Sequence, residues 1–128
     1  MLAEFRAAVV HVLTDKLDTP LWDIVPDDVA ELPCIVVARP SASETTTAVV
    51  FDTSVDVIAI GRRQQAGGSE GELVALADDI WQTLGGSRGV RDAEYVLGVV
   101  RLDPRVVTVA GQECSAYVIT VESSIATC

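Results

Sequence analysis

The chain has 128 residues, 49% of them apolar, with 19 acidic and 9 basic side chains and a formal net charge of −10. That length holds one hydrophobic core, so residues 1–128 are read as a single domain, and the composition excludes a disordered chain. The acid excess works against gripping nucleic acid, whose phosphates are held mainly by Lys and Arg displacing counterions. It leaves open an acid-lined passage through which DNA slides without sticking.

The first periodic stretch is residues 2–17 (LAEFRAAVVHVLTDKL). Leu2, Phe5, Val9, Val12 and Leu13 make an apolar stripe that Leu17 extends, with Glu4, Arg6, Asp15 and Lys16 largely outside it, which predicts an amphipathic helix. Opening directly after Met1, it reads as a helix and not a signal peptide. Asp18-Thr19-Pro20 ends it, because the residue before a proline is steered away from helical geometry. Residues 20–33 hold Pro20, Pro26 and Pro33 together with Asp23, Asp27, Asp28 and Glu31, and read as an irregular connection. Trp22 and Ile24 are expected to tuck under the fold there.

Cys34 to Ala38 (CIVVA) is a short, wholly apolar run, as expected of a strand covered on both faces. Pro40 to Thr47 (PSASETTT) reads as a polar loop. Ala48 to Ile60 (AVVFDTSVDVIAI) is the longest strand signal, with Phe51, Thr53, Val55, Val57 and Ala59 on one face and Asp52, Ser54 and Asp56 on the other. Gly61 to Gly68 (GRRQQAGG) reads as a second loop.

Ser69 and Glu72 form a capping box that opens a second helix over residues 70–84. Leu73, Leu76, Ala77, Ile80, Trp81 and Leu84 fall on one face of it, and Gly85-Gly86 stops it. Ile80 and Trp81 are the positions where substitution should hurt folding most, since each large buried side chain contributes roughly 1.5–3 kcal/mol. Three strands are predicted after this helix, Tyr95–Leu102, Val106–Ala110 and Ser115–Ser123, with turns at Asp103-Pro104 and Gly111-Gln112. The expected fold is α+β, a mixed and mainly antiparallel sheet with two amphipathic helices packed on it, in the order α-β-β-α-β-β-β.

Reaction chemistry is hard to place. His11 is the sole histidine and lies mid-helix, where a nucleophile–base pair would have to use it. Cys34, Cys114 and Cys128 are far apart and lack the spacing of a zinc knuckle or a redox pair, so no metal site is read. The glycine cluster before the second helix lacks the GK[ST] ending of a phosphate loop and carries Glu70 and Glu72 where phosphate needs positive charge. Asp27-Asp28 and Asp78-Asp79 read as solvated carboxylates, the latter because neighbours on a helix do not share a face. No cofactor is expected. No apolar run approaches the roughly 20 residues that span a bilayer, so no membrane partner is expected either.

The layout as a whole resembles the tail-terminator (tail-completion) proteins of long-tailed bacteriophages. The resemblance rests on the amphipathic first helix, the segment Asp23-Ile24-Val25-Pro26-Asp27-Asp28 and the run Leu32-Pro33-Cys34-Ile35-Val36-Val37. The strand closing on Val55 to Gly61, the helix Leu73–Leu84 and a β-rich last third complete it. Head-closure, adaptor and tail-tube subunits have similar size and character and are the alternatives within that class. The resemblance implies a structural protein without enzyme activity, made in the host cytoplasm and located in the virion at the head–tail junction. It implies a homo-oligomeric ring, usually a hexamer, that caps the tail-tube protein and docks onto the head-side connector or head-closure protein. Genomic DNA would pass through the lumen without specific binding.

Ring or docking contacts are expected on the two loops, at Ser43, Glu44, Thr45 and Thr46 and at Arg62, Arg63, Gln64 and Gln65. The strand edges offer further surface for a neighbouring copy. A small enzymatic or ligand-binding α+β domain, and an acidic mimic of DNA, are the readings from other classes. The first needs convergent polar groups that the linear sequence does not gather, and the second draws only on the charge.

Overall fold

The computed structural model describes residues 2–24, 33–44, 50–63, 69–84, 90–92 and 95–126. In chain order these form α1 (Leu2–Lys16), β1 (Leu21–Trp22), β2 (Cys34–Val37), β3 (Ser41–Glu44), β4 (Val50–Arg63), α2 (Ser69–Thr83), β5 (Val90–Asp92), β6 (Tyr95–Val109) and β7 (Gln112–Ala126). The fold is α+β. One sheet runs β1-β2-β4-β7-β6-β5, with β3 pairing a second stretch of β4, and only β1 against β2 is parallel.

Both helices lie on the same face of this sheet. Along β4 the alternation places Val55, Val57 and Ala59 beneath them, and the register carries that face to Val121, Ile119 and Tyr117 of β7 and to Ile35 and Val37 of β2. Phe5, Val9 and Leu13 of α1 and Leu73, Leu76, Ala77, Ile80 and Leu84 of α2 close the core from above. Arg6 holds α1 in place by donating to the carboxylate of Asp23 at 2.6 Å and to the carbonyl of Val37 at 3.0 Å. A second apolar cluster occupies the other face, where Cys34, Val36, Ile60, Val109, Cys114 and Ala116 pack with Trp22, Ile58 and Val107. The wholly buried β2 thus has apolar neighbours on both sides, as its sequence requires. Cys34 and Cys114 are buried thiols on β2 and β7 with β4 between them. Two strand spacings, about 10 Å, exceed the Cα separation a disulfide spans.

Several expectations need correction. The connection after α1 is not wholly irregular, because Leu21 and Trp22 pair with Ile35 and Val36 as a parallel strand. Ile24 does not tuck under the fold; it is 72% exposed. Residues 41–44 are not loop but β3, since β4 continues well past the end of β2 and its outer backbone groups there are satisfied by an extended partner. Gly61, Arg62 and Arg63 likewise prolong β4, through a register shift between Ile60 and Arg63. A Cβ at Gly61 would stand 3.1 Å from the Cβ of Leu73, so the missing side chain is what lets α2 approach the strand. Trp81 is only half-buried, whereas Ile80 is fully enclosed.

The largest revision concerns Asp103-Pro104, which is no turn. β6 passes straight through it, and the chain reverses at Ala110-Gly111, one residue before the expected turn. Both turn residues have positive φ, 50° and 78°, the signature of a two-residue type I′ hairpin. Such a turn makes Val109 and Gln112 a hydrogen-bonded pair, so bonded pairs recur at Val107, Arg105 and Asp103, and Pro104 falls between the last two. Its nitrogen therefore points away from β7, to the side where no ladder partner is needed, and a proline fits there without loss. Two of the three predicted strands are one.

Candidate functional site: the open edge of the sheet

β5 covers β6 only from Tyr95 to Leu97. From Gly98 to Val109 the outer side of β6 faces no strand among the described residues. The register with β7 sets Leu102, Pro104 and Val106 opposite Ile119, Tyr117 and Ser115, hence on the face that carries the helices. α2, however, packs mainly over β4 and β7. Leu102 and Val106 are left in solvent, the latter 68% exposed. A register shift between Val99 and Arg101 bulges the strand and leaves Val100 exposed as well.

Facing this strip from α2 is Val74, also exposed. Between them lies a groove of about 430 Å³, lined by Leu73 and Val74 of α2, Pro104, Arg105 and Val106 of β6, and Ser115 to Tyr117 of β7. Scattered single apolar residues are ordinary on a protein surface, but a contiguous strip beside an unpaired strand is the usual mark of an interaction surface. The charges that alternate with it along β6 are Arg101, Asp103 and Arg105. Arg101 donates from Nε to Asp103 at 2.7 Å, and Arg105 is exposed with no ion-pair partner among the described residues. On the sheet face turned from the helices, Asp56 accepts a hydrogen bond from Thr120 Oγ1 at 2.9 Å, and Asp56 and Glu122 are exposed.

No protein-family model matches the chain, and no curated protein matches it.

The residues expected to dock are not gathered in one place. Ser43 and Glu44 belong to β3, opposite Asp52 and Phe51 near the start of β4. Arg62 and Arg63 sit at the other end of the same strand, where Arg63 meets Cys114. Eleven residues of extended chain separate Phe51 from Arg62, about 36 Å at roughly 3.3 Å per residue, so the two sets do not form a single patch. Thr45, Thr46, Gln64 and Gln65 lie outside the described residues, as do Asp27 and Asp28.

His11 is exposed on α1 and lines no part of the groove. Among the described residues, no three His, Cys, Asp or Glu side chains cluster as metal ligands, and no helix is long and apolar enough to cross a membrane. Reading Pro104 as a turn concealed the strip on β6. The signal that would have found it is a proline inside an alternating apolar run, which marks an edge strand as readily as a reversal.

Proposed function

We propose that this chain is a structural assembly protein of a long-tailed bacteriophage, a tail terminator whose copies close into a ring, usually of six, at the head–tail junction. The ring caps the last ring of tail-tube protein, offers its other side to the head-side connector, and lets DNA through its lumen. One observation carries this reading. Among the described residues the outer side of β6 is unpaired from Gly98 to Val109, and it is flanked by Val74, Val100, Leu102 and Val106, a surface that calls for a protein neighbour. The α+β layout agrees with the sequence resemblance, and Asp56 and Glu122 supply acids on a sheet face that would repel DNA if turned to the bore.

Native mass spectrometry and negative-stain images of the purified chain test the proposal. Closed rings of one size, and tail tubes whose growth stops on adding them, are the expected result. Unlimited tubes would move the chain to the tail-tube alternative, and a solitary particle at every concentration would overturn the assembly reading. Asp56→Lys or Glu122→Lys virions should assemble and eject their genome slowly; normal ejection would turn that face away from the lumen.

A further inference from the structure

The two margins of the sheet differ in character. β1 ends one side and β6 forms the other, four strand spacings apart, about 19 Å measured along the sheet. Residues 15–24, which contain β1, carry three acids and one base, while β6 carries two bases and one acid. Among the described residues the β1 side presents Asp18 and Asp23, both exposed, and Ile24; the β6 side presents Arg105 and Val106. Each margin thus pairs an exposed branched apolar residue with charge, and the charges are opposite. Asp23 accepts from Arg6 yet keeps 85% of its side chain exposed, so one carboxylate oxygen can face outward.

We infer that copies of this chain join head to tail, the β6 margin of one copy receiving the β1 margin of the next, with Arg105 set against Asp18 and Asp23 and with Val106 packed on Ile24. The inference rests on the ring reading above and names its contact. Opposite margins of opposite sign make a heterologous contact, the kind that a ring requires, whereas like margins meeting about a two-fold axis would set the acids of β1 against their own kind. The contact is made by side chains and not by a continuous ladder. Pro104 offers no N–H to a neighbouring strand, the bulge at Val100 breaks the edge, and β1 is only two residues long.

Charge reversal at exposed positions tests this in the full chain. Arg105→Glu and Asp18→Lys should each leave thermal melting unchanged and raise the concentration for half-assembly by about tenfold or more, since like charges then meet at the junction. The double variant Arg105→Glu/Asp18→Lys should form rings again. Mixing the two single variants should also restore rings, because every junction is then either native or fully swapped. Wild-type assembly should weaken in high salt. Wild-type rings that both single variants leave unaffected, or singles that fail without recovery in the double variant and the mixture, would overturn this contact while the ring reading stands. Restoration to a two-subunit particle only would replace the head-to-tail contact with a two-fold one. A wild-type chain that never assembles would overturn both.

Discussion

Ala110 holds φ at 50°, a left-handed conformation that costs an L-residue with a Cβ roughly 1–2 kcal/mol. Gly111, at 78°, adopts it without that cost. Ala110→Asn should therefore raise stability by about 0.5–1 kcal/mol, since asparagine followed by glycine is the preferred pair for this turn, and a higher urea midpoint with unchanged slope would show it. Thr53 and Ser123 are polar residues buried in the sheet opposite each other. Thr53 Oγ1 donates to the Ser123 carbonyl at 2.9 Å, but Ser123 Oγ is enclosed with no hydrogen-bond partner among the described residues. Removing an unsatisfied hydroxyl recovers its desolvation cost, so Ser123→Ala is expected to be neutral or to stabilise by about 1 kcal/mol in denaturant titration. Thr53→Ala should go the other way, because it removes a donor from a buried carbonyl.

At the scale of elements, α2 and the β6 edge make separate demands. Ile80 is fully buried in the middle of α2, and Ile80→Ala should cost about 2–5 kcal/mol. The same change at half-buried Trp81 should cost less, and a ranking by thermal or urea unfolding checks the order. Helical spacing puts both on the apolar face, since it shows which side a residue takes but not how far the neighbouring sheet extends beneath it. On β6, Pro104→Val restores an N–H that points outward. Backbone pairing along that edge would then be possible, and the variant should aggregate or form irregular oligomers in light scattering where the native chain does not. Legibility divides along the same line. α1, α2, β2 and the alternating face of β4 are read from periodicity because burial follows directly from local spacing. β1 and β3 are not legible because extended segments of only two and four residues gain their identity from a partner strand distant in sequence, Ile35-Val36 for one and Phe51 to Ser54 for the other. The Asp103-Pro104 pair carries the composition of a reversal, and only its place on an outer strand makes it extended.

For the whole molecule, burial and charge are sorted to different places. Two apolar clusters occupy the two faces of one sheet, while Arg105 and the Asp18–Asp23 group sit at opposite margins. No sequence pattern gathers Val74, Val100, Leu102 and Val106, since residues from a helix and a strand meet only through the β6–β7 register. Adding a partner at this strip should shield the Leu102 and Val106 side chains from hydroxyl-radical labelling, and unchanged labelling on assembly would place the contact elsewhere.

β4, β6 and β7 run 14, 15 and 15 residues, about 50 Å at roughly 3.3 Å each. The helices roof only part of that length. β6 floors the interior at Leu97 and then leaves that cover, serving as a bracket at Val106. A load taken on the bracket is borne by the floor, so attachment and foldedness are mechanically one property: pulling a docked neighbour away strains the very ribbons on which the roof rests.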